Sequence, residues 1–167
     1  CNRHPIIHRP EQERFPWAGA VLAVHVCRLI TVVIGAGSVV LTYFTVRDLF
    51  PDRPGLTLGA TALTAFNPMF IFVNASVNND AMTTFVGCLN LLVMVRLARD
   101  SLQTGHRQDP LPLWRYGLVG FTMGLFLLTK LSALTALMLL PILLAWVSYR
   151  RQSWRPLLVG LTVIVVF

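Results

Sequence analysis

Seven carboxylates serve the whole 167-residue chain, so each can be placed. Asp48, Asp52, Asp100 and Asp109 lie among arginines in polar stretches, and Glu11 and Glu13 lie in a polar segment near the start. Asp80 stands apart: it follows Asn74, Ser76, Asn78 and Asn79 and has no basic neighbour in sequence. Two readings fit it. As a helix N-cap, Asp80 would accept a hydrogen bond from the amide of Met82 or Thr83. As an ionisable group at a membrane boundary, crowded by more polar side chains than a cap needs, it is a candidate catalytic acid or metal ligand. Two cations, Arg28 and Lys130, fall at the same expected level on other segments. Singly, each reads as a side chain snorkelling from a helix end. Jointly, one carboxylate and two cations can clamp a lipid-linked phosphate. Arg28 would supply a bidentate fork, Lys130 a point charge, and Asp80 a ligand for a divalent metal (Mg or Mn) or a partner for the acceptor. Asn78 and Asn79 join this set as candidate substrate-binding residues.

The remaining chemistry-bearing residues carry less. His25 precedes Arg28 by three and shares its helix face, as an interfacial side chain rather than a ligand. His4 and His8 are interrupted by Pro5 and flanked by Pro10, which argues against a helical metal pair. Cys1, Cys27 and Cys88 are odd in number and have no metal-ligand spacing. Asn74-Ala75-Ser76 matches the N-glycosylation pattern but lies too close to a span for that to count. Gly35, Gly37, Gly117, Gly120 and Gly124 are small residues that let helices approach closely.

The elements that must position these groups are membrane spans. Only 13% of residues are charged, about half the usual share for a soluble domain, and mean hydropathy is +0.66. Residues 29–46, 54–79 and 131–149 contain no charge, and a helix crossing ~30 Å of hydrocarbon needs about 20 apolar residues. The fold class is therefore all-α, a polytopic transmembrane helix bundle, and soluble enzymes are excluded. We expect an interfacial helix near 17–27 with Trp17 at headgroup level, then spans at 29–46, 56–73 (kinked by Pro68), 81–97, 113–129 and 131–149. A truncated sixth begins at Pro156. Residues 1–16 read as the polar end of an extracytoplasmic loop, and 17–167 as a transmembrane domain incomplete at both ends. The start at Cys1 and the short apolar run 156–167 suggest an internal fragment.

Orientation follows from the arginines. Loops 47–53, 96–115 and 150–155 hold nine of the fourteen basic residues, and basic loops collect on the cytoplasmic side. A hairpin at 113–149 satisfies this, whereas a single span would split the loops between two faces. The N-terminal stretch, the Asn-rich connection and Lys130 then face outward. The net charge of +7 records topology, and nothing clusters like a nucleic-acid interface.

Taken in order, Arg28, Arg47-Asp48-Leu49-Phe50-Pro51, Phe66-Asn67-Pro68-Met69-Phe70, Ala75-Ser76-Val77-Asn78-Asn79-Asp80 and Leu128-Thr129-Lys130-Leu131-Ser132-Ala133 form a pattern. It resembles polytopic glycosyltransferases of the GT-C superfold, nearest to the bacterial DUF2142 and family-39, protein-mannosyltransferase-like group, over roughly residues 17–155. The resemblance implies transfer of a sugar from a polyprenyl-phosphate donor on the extracytoplasmic face of a bacterial plasma membrane, usually with a divalent metal. By resemblance, Asp80 matches the second acidic position, Arg28 the basic residue opening a span, and Lys130 the lysine between later spans. The family's principal acidic motif has no counterpart here. A rival class is a transporter using Asp80 and Lys130 as a midplane relay, or a non-catalytic membrane protein in which these groups only cap helices.

Overall fold

The computed structural model describes residues 15–103, 112–129 and 139–151, and among them it holds helices and short connections with no strand. The helices are α1 (Gly19–Leu49), α2 (Pro54–Ala65), α3 (Pro68–Ala75), α4 (Asp80–Gln103), α5 (Leu113–Thr129) and α6 (Leu139–Arg151).

Helix α1 runs for 31 residues without a break, which corrects the expected division between an interfacial helix and a span near residue 28. No Pro or Gly interrupts residues 21–34, and His25 is satisfied within its own helix, its Nδ1 lying 2.8 Å from the Val21 carbonyl. The buried face of α1 is a seam of small residues, Thr31, Gly35, Ser38 and Thr45, with half-buried Thr42 among them. Their steps of four and three residues keep one stripe on one side of the helix. The hydroxyls of Thr31, Ser38, Thr42 and Thr45 donate to carbonyls of α1 itself, so the seam brings no unsatisfied donor into the interface.

The expected span at 56–73 is two helices, bent by 53° between α2 and α3. Pro68 has no amide to donate, and Asn67 caps the new helix by accepting from the amides of Met69 (2.9 Å) and Phe70 (3.4 Å). The proline therefore restarts the helix rather than kinking it.

Helix α4 packs along α1 in a fixed register. Arg96 donates to Asp48 at 2.8 Å across a separation of 48 residues, and Thr42 meets Cys88 at 4.0 Å across 46. Similar separations at both places mean that α1 and α4 run in the same direction, with α2 and α3 returning between them. Helix α5 runs back along α4: Arg115 pairs with Asp100 at one end, Asn90 donates to Thr122 (3.1 Å) midway, and Asn79 donates to the Thr129 carbonyl (3.4 Å) at the other. Leu97, Tyr116, Val119, Met123 and Val147 form the apolar core that joins α4, α5 and α6.

Arg47, Asp48, Arg53, Arg96, Arg99, Asp100 and Arg115 thus gather at one end of the bundle, the arginine-rich end, and residues 76–80 at the other. The shared end for loops 47–53 and 96–115 is the arrangement expected from their charge. The span count needs correction. Among the described residues two helices, α1 and α4, are long and apolar enough to cross a membrane, or three spans if the bent pair counts as one. Helix α5 has only 17 residues, while residues 130–138 and 152–167 lie outside the described set, and with them the rest of the expected hairpin and the last span. Apolar side chains such as Leu29, Val33, Leu63 and Phe72 are exposed on the outside, as lipid-facing surface requires in an integral membrane protein.

Gly35 is where α1 and α3 touch most closely: a Cβ there would stand 2.6 Å from Cγ and Oδ1 of Asn74. At Gly37 the nearest group is the Phe85 ring edge at 2.8 Å. Asn74 is short and anchored to Phe70, whereas the phenylalanine ring can rotate away. Gly35→Ala is expected to cost ~1–3 kcal/mol of stability by overpacking and Gly37→Ala less. Thermal unfolding in detergent checks this; Asn74→Gly, which also removes the Cβ that would stand 2.9 Å away, should relieve Gly35→Ala more than Asn74→Ala.

Candidate functional site at the asparagine-rich end

The connection from α3 to α4 is built by side chains hydrogen-bonding to nearby backbone. Ser76 Oγ donates to the Val73 carbonyl at 2.8 Å. Asn78 Nδ2 donates to Ser76 Oγ (2.6 Å) and the Val73 carbonyl (3.3 Å), while its Oδ1 accepts from the amides of Asp80 (3.0 Å) and Ala81 (3.3 Å). Asn78 therefore caps α4, which corrects the expectation that Asp80 is the N-cap. Asp80 is already the first helical residue. Both ends of the Asn78 amide are engaged in the loop.

Asp80 is half-buried in the first turn of α4, where the partial positive charge of the helix end favours a carboxylate. Its backbone carbonyl accepts from Thr84 Oγ1 at 2.8 Å. Asn79 is exposed; its carbonyl accepts from the amide and hydroxyl of Thr83, and its Nδ2 reaches the Thr129 carbonyl. Thr129 is the last described residue of α5, and Lys130 itself lies outside the described residues.

Asn74 lies against α1. It is 5% exposed, and its Nδ2 donates to the Phe70 carbonyl at 2.8 Å. Its Oδ1 is buried with no hydrogen-bond partner among the described residues. The N-glycosylation pattern therefore falls on a buried side chain. Nothing in the residue types singled Asn74 out from its polar neighbours; the signal lies in Gly35, which leaves room for it.

Arg28 is exposed on α1, but not level with Asp80. The α1–α4 register sets Asp80 beside about Val33, so Arg28 stands roughly five residues, ~7 Å, further toward the outer end of α1. His25, one turn beyond, stacks on Trp17 with ring centroids 3.8 Å apart. The structure thus brings Asp80, Asn78, Asn79 and the end of α5 together and holds Arg28 above them.

The donor set bears on the expected divalent metal. Among the described residues no group of three or more His, Cys, Asp or Glu converges, and Asp80 is the one described carboxylate at this end. Asp80 alone would leave most ligands of a divalent cation to substrate phosphate and water, as in Mg²⁺ sites held by one or two carboxylates. These residues alone do not form a metal centre.

The sequence model of the family described as dolichyl-phosphate-mannose-protein mannosyltransferase matches residues 17–167. No curated protein and no solved structure matches the chain.

Because Asn78 supplies the cap, Asn78→Ala should lower stability by about 1 kcal/mol, seen as a lower unfolding midpoint in detergent. Asn79→Ala, which removes one long exposed hydrogen bond, should lower it by clearly less. Equal losses would contradict this division of labour.

Proposed function

The chain belongs to the dolichyl-phosphate-mannose-protein mannosyltransferase family, and from that premise we propose that it acts in transfer of a sugar from a polyprenyl-phosphate donor to a hydroxyl-bearing acceptor on the extracytoplasmic side of a bacterial plasma membrane. The family is one of membrane glycosyltransferases that use lipid-linked donors. The observation that carries the reading to these residues is the Asn79–Thr129 hydrogen bond, which ties the start of α4, with Asp80, to the end of α5, next to Lys130 in sequence.

In such a transfer the bond between the anomeric carbon and the phosphate oxygen breaks. A bond to the acceptor oxygen forms, and the acceptor's proton passes to a base. The departing phosphate gains negative charge, which fixed cations stabilise. Arg28 and Lys130 take that role, Arg28 as a fork and Lys130 as a point charge. Asp80 receives a hydrogen bond from the acceptor or the sugar, Asn79 binds beside it, and Asn78 positions both by capping α4. When bound, a divalent metal would share the neutralisation of phosphate charge.

The bent pair α2–α3 is the feature that favours a transporter instead, since broken helices surround many midplane relays. Transfer assays separate the two. In membranes carrying the protein, Asp80→Asn and Lys130→Ala should each lower sugar transfer at least tenfold at unchanged expression. Wild-type transfer by both variants would sink the assignment.

A further inference from the structure

The arginine-rich end carries more positive charge than its own carboxylates balance. Asp48 serves two guanidiniums: Arg96 donates to its Oδ2 at 2.8 Å, and Arg99 stands 3.6 Å from its Oδ1. The second distance is too long for a hydrogen bond, so Arg99 keeps its donors unspent. The side chains of Arg96 and Arg99 are 55% and 40% exposed, against 19% for Asp48. The donors are therefore accessible while the carboxylate is largely covered. Arg47, next to Asp48 on α1, is exposed and joins no ion pair among the described residues. Arg115 is engaged by Asp100, and the exposed Asp52 and Arg53 before α2 offset each other. The surplus sits on Arg47, Arg96 and Arg99, with Asp48 as their shared counter-charge.

The surface leading to these cations is apolar. The uncharged run 29–46 takes ~27 Å of α1, close to a hydrocarbon thickness, which sets Arg47 at headgroup level. Phe44 and Val40, three and seven residues before Arg47 and on the same helix face, are both exposed. On α4 the exposed Leu91 and half-buried Val95 lead to Arg99 at steps of four residues. Each stripe offers acyl-chain surface that ends at a guanidinium. Snorkelling accounts for an isolated arginine at a helix end, but not for two held against one carboxylate with a third beside it.

We propose that Arg47, Arg96 and Arg99 bind the phosphodiester of an anionic phospholipid in the leaflet at this end of the bundle. Its non-bridging oxygens accept from the guanidinium forks, and its negative charge offsets part of the surplus. Its acyl chains lie along the Val40–Phe44 and Leu91–Val95 stripes, which a free phosphate would leave unused. Arg47 belongs to α1 and the other two to α4, so a bound headgroup bridges the helices whose register places Asp80. Neither sugar transfer nor the identity of the cytoplasmic face enters into this site.

Displacement of a tail-labelled phosphatidylglycerol from the full chain, purified in a neutral maltoside detergent, tests the assignment. Unlabelled phosphatidylglycerol should displace the probe at roughly tenfold lower mole fraction than phosphatidylcholine, whose headgroup carries its own cation. Inorganic phosphate in large excess should leave the probe bound. Arg47→Gln breaks no ion pair, and it should cut the preference for phosphatidylglycerol roughly threefold or more, with Arg47→Lys restoring most of it. Arg99→Gln should act in the same direction. Equal displacement by the two lipids would overturn the site, as would an undiminished preference in both glutamine variants. Displacement by inorganic phosphate would make it a site for free anions and overturn the lipid assignment.

Discussion

A helix that stops within or near hydrocarbon leaves amides or carbonyls that lipid cannot satisfy, and asparagine meets that demand three times among the described residues. Asn67 caps α3 directly after the break, Asn78 caps α4, and Asn79 donates to the last turn of α5. The last two set the start of α4 beside the end of α5 without a charge being spent on either. The candidate site depends on that, because Asp80 can occupy the first turn of α4 only if another residue supplies the cap.

The other end of the bundle sets the level of this one. Asp48 accepts from Arg96 and faces Arg99 at 3.6 Å, and partly exposed pairs of this kind contribute at most about 1 kcal/mol each. Their structural consequence is larger than their energy. Together with the small-residue seam of α1, they hold α4 in a register that starts it well below the outer end of α1. From the Asp48–Arg96 pair α1 runs 29 residues back to its start and α4 only 16, so α1 extends further at the outer end, while α4 runs seven residues beyond the pair at the inner end.

Much of this was legible in the residues. Low charge and long uncharged runs imply spans, and arginine loops imply which connections share an end; the Asp48–Arg96 and Arg115–Asp100 pairs agree. Asp80 with its asparagines could be singled out because so few acids compete with it. Relative depth was not legible. Placing Arg28 level with Asp80 assumed that every span ends at the same surface, and only the packing of α1 on α4 shows otherwise. The division of labour between Asn78 and Asp80 was equally hidden, because asparagine and aspartate are comparable N-caps and a shift of two residues decides between them. The helix break at Asn67 shows the same limit: proline signalled a disturbance, but whether the chain bends or restarts depended on the side chain before it.

The contrast between amides and carboxylate bears on why a transferase would build a site this way. An aspartate at the cap of α4 would have its oxygens facing backbone amides, which stabilise its charge but orient it toward the helix rather than toward a substrate. With Asn78 as cap, the same helix end still lends its partial positive charge to Asp80 in its first turn. Position then separates the charges: Arg28 of α1 stands roughly five residues, ~7 Å, further toward the outer end than Asp80 at the start of α4. The register of two helices, fixed by ion pairs at the opposite end, thus sets how far apart the cation of α1 and the carboxylate of α4 stand along the bundle.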